Sequence, residues 1–211
     1  MSYSVKEIYF TLQGEGVNSG SPAVFCRFSG CNLWNGIEKD RLGAACSFCD
    51  TDFVGLNGVN GGRYETAALL SNCVADVWPD ACEAKKWVVC TGGEPLLQLD
   101  QELVQSFQAL GYSVAVETNG TLMPPPGVDW ICVSPKAGTE LKCVRGNELK
   151  LVFPQEGINP KEYEEFEFDN FLLQPMDGDY IIRNLADTVD YCHTHLKWRL
   201  SLQVHKFANI P

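Results

Sequence analysis

Short apolar runs recur along this chain, at residues 23–28, 87–90, 113–116, 130–133, 149–153, 171–173 and 198–203. Each has the length of a buried strand rather than of a helix. Between several of them the apolar residues return every three or four positions instead. Residues 64–78 put Ala67, Leu70, Val74 and Val77 on one helical face, and Pro79, which has no amide hydrogen to donate, ends the pattern. Residues 97–110 repeat it with Leu103, Val104, Phe107 and Leu110, closed by Gly111. Residues 184–195 are a third candidate helix. Buried strands alternating with helices predict βα units, a mostly parallel sheet and an α/β fold. The glycine-rich 55–62 and proline-rich 124–127 read as loops. The alternation resumes promptly after both, so one domain over 1–211 is expected. Residues 155–169 hold the one acidic cluster, and a short acidic helix is expected there.

Reactive side chains gather where the apolar runs end. Arg27 and Cys31 follow the first, Thr91-Gly92-Gly93-Glu94 the second, and Glu117-Thr118-Asn119 the third. Ser134-Pro135-Lys136, Gln174-Pro175-Met176-Asp177 and His205 stand after later ones. The carboxyl ends of parallel strands are the edge at which α/β sheets and barrels bind ligands. A closed eight-unit barrel takes about 250 residues, so the 211 present leave room for a smaller, partly open one.

Composition narrows the function class. Hydrophobic residues make up 45% and charged residues 20%, ordinary for a soluble domain. The net charge of −11 has no basic face to offset it, which argues against a nucleic-acid partner. No apolar run approaches the roughly 18 to 20 residues of a membrane span, and residues 1–7 lack the features of a signal peptide, so no membrane and a cytoplasmic location are expected. Of ten cysteines, Cys26, Cys90 and Cys132 lie inside apolar runs, as reduced thiols do.

Cys31, Cys46 and Cys49 are spaced Cys-x14-Cys-x2-Cys directly after the first run. A Cys-x2-Cys pair alone serves zinc knuckles, redox dithiols and iron-sulfur clusters alike. Structural zinc wants four ligands; the fourth would be a remote cysteine or one of His193, His195 and His205, all near the far end. His193 and His195 are expected to be solvated. A cubane iron-sulfur cluster takes one cysteine per iron, and three cysteines would leave one iron open to bind another molecule.

Phe48, immediately before the last of these cysteines, completes a resemblance to radical S-adenosylmethionine (SAM) enzymes that extends over nearly the whole chain. The usual family spacing is Cys-x3-Cys-x2-Cys; here residues 32–45 lengthen the first gap. That variant resembles the 7-carboxy-7-deazaguanine synthases, which also carry Phe-x-Leu-Gln-Gly-Glu-Gly near the start, matched here by residues 10–16. The chain also ends as those synthases do, with His205 followed by Asn209-Ile210-Pro211.

The resemblance implies a partial, open (β/α)6-type radical SAM barrel with a modified cluster-binding loop. It implies a [4Fe-4S] cluster on Cys31, Cys46 and Cys49, and SAM contacts from Phe48, Cys49, Asp50 and Gly93. Further SAM contacts are implied for Ser134, Pro135 and Lys136, for Gln174, Pro175, Met176 and Asp177, and for Glu117 and Asn119. Thr51 resembles the residue whose hydroxyl helps hold magnesium. The implied substrate is 6-carboxy-5,6,7,8-tetrahydropterin, with Arg27 on its carboxylate, Leu12, Gln13, Gly14 and Glu15 on the ring edge, and Thr91, His205 and the Pro211 carboxylate completing the pocket. Each of these residues, taken singly, also reads as an ordinary cap, turn or ion-pair residue. The implied activity is a carbon–nitrogen lyase step: radical ring contraction to 7-carboxy-7-deazaguanine with loss of ammonia, on the route to queuosine. A flavodoxin-type electron donor and a homodimer come with it. Two rivals remain at this point, a glycyl-radical activase and a zinc-stabilised binding module without turnover.

Overall fold

The computed structural model describes residues 2–211. The chain opens with an antiparallel pair, β1 (Tyr3–Leu12) and β2 (Pro22–Phe28), and the short β3 (Gly62–Tyr64) pairs with the other side of β1. From β2 onward the sheet is parallel and runs in chain order through β4 (Trp87–Gly92), β5 (Ser113–Thr118), β6 (Trp130–Val133), β7 (Arg145–Phe153), β8 (Glu167–Pro175) and β9 (Trp198–Leu200). Every apolar run in the sequence is one of these parallel strands. The mixed α/β sheet is open, since β3 and β9 are its two edges.

β1 escaped the sequence pattern for a physical reason. Tyr3 and Val5 face the core, but the pairing shifts between Val5 and Glu7, and Ile8 takes up the inward position afterwards. An irregularity of this kind puts the two halves of a strand out of phase, so no single period of two describes it.

α1 (Ala67–Val77) is capped by Thr66, whose side chain accepts a hydrogen bond from the Leu69 amide at 3.2 Å. α2 (Gln101–Ala109) is capped by Asp100 through the Leu103 amide at 2.9 Å, and the same carboxylate accepts the Tyr3 hydroxyl. α2 starts later than the spacing predicts because residues 95–97 form a separate turn that ends before this cap. Leu70, Val74, Leu103 and Phe107 pack with Ile8, Val24, Val88 and Val114 into the larger core. α3 (Ile181–Thr194) begins three positions before the predicted start and covers β8 and β9, where Phe171, Leu173 and Trp198 make a second core.

Three expectations need correction. The βα alternation is incomplete: the connections β5–β6, β6–β7 and β7–β8 contain no α-helix among the described residues. Residues 155–169 are not an acidic helix; a short turn at Pro160–Tyr163 leads directly into β8. There Phe166 and Phe168 point inward while Glu165, Glu167 and Asp169 are exposed, an alternation that only a strand satisfies. His193 is exposed as expected, whereas His195 is half-buried and stacks on Tyr191 with ring centroids 3.9 Å apart.

The chain after β9 turns back to the loop that follows β1. Ser201 Oγ accepts from the Gly16 amide at 3.0 Å, and the Val204 amide donates to the Gly14 carbonyl at 2.8 Å. Strands β1 and β9 are far apart in the sheet order, so these bonds require the sheet to curl around the segment between them. α4 (Val204–Ala208) follows this turn, and its His205 and Lys206 line the second of the cavities described below.

Candidate functional site

At the carboxyl ends of the parallel strands lie two adjoining cavities, of roughly 1000 and 940 Å³ counted to their open mouths. Glu15, Asp50, Thr51, Thr91, Glu117 and Gln203 line both and form the wall between them.

The first cavity brings together Cys31, Cys46 and Cys49, with Phe48 beside them. It also gathers Gly93, Asn119, Ser134 and Lys136, and Gln174, Pro175, Met176 and Asp177 from the end of β8. Pro135 is the exception among the predicted residues: it is buried and does not line the cavity.

The glycines after β4 are needed for close approach. Gly92 has φ +151°, and a Cβ there would lie 2.3 Å from the Phe28 carbonyl oxygen. A Cβ on Gly93 would lie 2.3 Å from the Gly30 oxygen and 2.7 Å from the Cys31 Cβ. Glu94 turns away from the cavity and is fully buried. It accepts from the Thr118 hydroxyl and the Asn119 amide, both at 2.8 Å, and so fastens the end of β5 to that of β4. Burial pushes its carboxyl above the usual range despite those bonds.

The donor set suits a cluster. The hydrogen bond between Cys46 and Cys49 raises the Cys46 thiol and lowers that of Cys49, and burial raises Cys31, so the group of the three favoured as thiolate is Cys49. Such a group reaches the thiolate form that binds metal. Among the described residues no three His, Cys, Asp or Glu side chains converge on one ion position. Three thiols on one cavity wall are, by residue type, donors of the kind iron–sulfur clusters take.

The 32–45 segment folds as a flap tied to the cysteine turn. Trp34 meets Phe53 edge-on at 5.6 Å, and Arg41 lies 4.1 Å over the Trp34 ring. Arg41 also donates to the Ser47 carbonyl at 3.1 Å and the Cys49 carbonyl at 2.8 Å. Sequence reasoning did not find Trp34 or Arg41.

The second cavity holds Leu12, Gln13, Gly14, Arg27, His205 and Pro211. Arg27 Nε donates to Glu7 at 2.8 Å and Nη2 to the Tyr9 hydroxyl at 3.1 Å. Tyr9 in turn stacks on Phe25, with ring centroids 5.8 Å apart. Glu7, Tyr9 and Phe25 were missed from the sequence; they meet this site because Glu7 pairs with Arg27 and Tyr9 with Phe25 across β1 and β2. Gly14 leaves space for His205, whose Nδ1 would be 2.2 Å from a Cβ there. Thr11 donates to the Pro211 carbonyl oxygen at 3.0 Å, which ties down the chain end.

A polar clamp joins the cavities at their mouth. Lys206 pairs with Asp50 at 2.7 Å and with Asp177, and Gln203 donates to Glu15 at 3.0 Å and Asp50 at 3.1 Å. Burial would raise the Asp50 carboxyl, but Lys206 and Gln203 hold it below the usual range, and the Lys206 hydrogen bond does the same for Asp177. Depressed carboxylates stabilise above their ordinary value of about 4 and lose that contribution as pH falls through the lower folded value. Lys206, held above its ordinary value, stays charged throughout that range. Protection of the 203–211 amides, relative to their intrinsic exchange at each pH, is therefore expected to fall below about pH 4, while β4 and β5 remain protected; an equal fall in all three would refute a local clamp. The pairs are half-exposed, so the effect is at most about 1 kcal/mol.

No family model matches the chain. It is 55% identical over 211 residues to the 7-carboxy-7-deazaguanine synthase of Burkholderia multivorans and 56% identical over 211 residues to that of Bordetella pertussis, covering all of both chains in each case. Its fold is similar to the crystal structure of QueE from Escherichia coli, with a TM-score of 0.68 and 26% identity over 97% of this chain and 95% of that one.

Proposed function

Because the chain belongs to the 7-carboxy-7-deazaguanine synthase family, we propose that it converts 6-carboxy-5,6,7,8-tetrahydropterin to 7-carboxy-7-deazaguanine with loss of ammonia, as a SAM- and magnesium-dependent lyase. The observation that carries this reading is the pair of cavities with a shared wall, one presenting three cysteines and the other a held arginine beside an aromatic pair.

In this reading Cys31, Cys46 and Cys49 hold a [4Fe-4S] cluster, which when loaded supplies the electron that cleaves the sulfonium carbon–sulfur bond of SAM. The Gly93 backbone, Ser134, Lys136, Asn119 and residues 174–177 seat SAM, with Phe48, Cys49 and Asp50 at its adenine, while Pro135, buried outside the cavity, makes no direct contact. Arg27 takes the pterin carboxylate as a planar fork of donors. Tyr9 and Phe25 flank the ring, while Leu12, Gln13, Gly14 and Glu15 meet its edge through backbone, amide and carboxylate groups. Thr91, His205 and Pro211 close the pocket, and Thr51 on the shared wall would hold magnesium. Contact across that wall turns a chance encounter into a positioned step, and Glu117 keeps one side of it polar.

The curled, open sheet is read as a partial (β/α)6 barrel making up one domain. A flavodoxin-type reductant, a homodimer and a cytoplasmic location complete the proposal, and no described helix is long and apolar enough to cross a membrane. Anaerobic incubation of reduced protein with SAM and the tetrahydropterin should yield 7-carboxy-7-deazaguanine by mass spectrometry. SAM cleavage without that product would overturn the substrate assignment.

A further inference from the structure

β7 carries Leu149 and Leu151 into the second core, which turns Lys150 to the opposite, concave face of the sheet. There Lys150 is almost wholly buried, and its ammonium donates to Glu15 at 2.6 Å and Glu117 at 3.1 Å. The remaining oxygens of these carboxylates are also engaged, Glu15 by Gln203 at 3.0 Å and Glu117 by Gln13 at 3.3 Å. A continuous chain thus runs Gln203–Glu15–Lys150–Glu117–Gln13 along the wall between the cavities. None of the proposed binding roles uses Lys150.

The charges facing this cation come from several elements. Glu148, two positions earlier on β7, accepts from Trp130 and from the Val17 amide, and burial pushes its carboxyl up. Burial also drives the Cys132 thiol of β6 far up, so it stays neutral. Lys136, after β6, is pushed down by burial, and His205 lies near Glu15. Burial would lower the Lys150 ammonium, but its acidic surroundings hold it well above the usual range. Burial would likewise raise Glu15, and Lys150 instead keeps it low. Without that cation the Glu15 carboxylate would lose its charge partner, and burial would favour its neutral form.

We propose that Lys150 is a positioning residue which, bridging Glu15 and Glu117, holds the Glu15 carboxylate aimed as an acceptor for the N–H groups of the substrate ring. The inference rests on the tetrahydropterin reading of the second cavity. A tetrahydropterin offers amine and ring N–H donors along its edge, and an ionised carboxylate accepts them whereas a protonated one does so poorly.

Anaerobic calorimetric titration of the tetrahydropterin into SAM-loaded, cluster-loaded protein tests this. Lys150→Met should weaken pterin binding about ten- to a hundredfold near pH 6, and its affinity relative to the wild type should recover as pH rises toward about 9 and Glu15 ionises. Iron content should stay at the wild-type level, SAM affinity should fall by much less than pterin affinity although Lys150 also lines the first cavity, and Lys150→Arg should bind within about fivefold of the wild type. If Lys150→Met does not fold, Lys150→Met/Glu117→Gln restores the charge balance, and its affinity relative to Glu117→Gln should still fall toward low pH through Glu15. An affinity ratio that does not change with pH, or a parallel loss of SAM and pterin binding, overturns the inference. A wild type that takes up no pterin overturns the substrate reading and this inference together, whereas a wild type that binds beside an indifferent Lys150→Met overturns the inference alone.

Discussion

Replacing Cys31, Cys46 or Cys49 by alanine is expected to abolish cluster loading, from about four irons per chain to nearly none, while Cys73→Ala leaves it intact. The three thiols line one cavity, and the loop that carries two of them is held by Arg41 rather than by the cysteines themselves. The alanine variants should therefore fold and still lose the metal. Cys73 belongs elsewhere: it accepts the Tyr64 hydroxyl at 3.1 Å and packs against the larger core. SAM cleavage should fall on the order of a thousandfold or more in each ligand variant. Iron and sulfide analysis of anaerobically purified protein checks the loading, and thermal unfolding of the apoproteins checks the fold. Equal iron loss in Cys73→Ala would undo the ligand assignment, and one zinc with no iron in the wild type would favour the binding module instead.

The parts of this protein that could be read in its sequence are those fixed by local rules. A buried parallel strand needs only a short apolar run, so the runs located β2 and β4 to β9, and the polar residues just beyond them located the cavities. The cysteine trio stood out by residue type and spacing together, and the fold brings all three to one cavity. What escaped depends on how distant segments meet. Glu7 and Tyr9 reach Arg27 through the register of β1 on β2, which shifts at Val5 and so hid the strand itself. Lys150 looked like one polar letter within an apolar run, and its meaning arises only when the sheet curls and the loop after β1 lays Glu15 against it. The 155–169 stretch misled because its acidity was more conspicuous than the alternation of Phe166 and Phe168. Pro135 shares a tripeptide with two lining residues, yet its side chain is buried, a distinction that position after a strand does not resolve.

Arg27→Ala is expected to raise the KM for the tetrahydropterin on the order of a hundred- to a thousandfold, while iron content and SAM cleavage in the absence of substrate stay unchanged. The guanidinium is largely buried, with its side chain 17% exposed, and Glu7 and Tyr9 fix its plane from one side. Burial alone would lower its affinity for the proton, and the Tyr9 and Glu7 contacts more than reverse this, so the group enters the cavity charged and oriented. Alanine removes the fork and also leaves the Glu7 carboxylate without its counter-ion beside the place proposed for the substrate's own carboxylate. Much of the loss should then come from repulsion, and neutralising Glu7 should relieve it. Arg27→Ala/Glu7→Gln is accordingly expected to recover about tenfold of the lost KM, although Glu7→Gln alone should weaken binding by loosening the arginine. Steady-state kinetics on all four proteins measures the coupling directly. Additive effects of the two substitutions would show that Glu7 does not act through Arg27, and loss of the cluster in Arg27→Ala would make the arginine a structural brace for β2 rather than a carboxylate anchor.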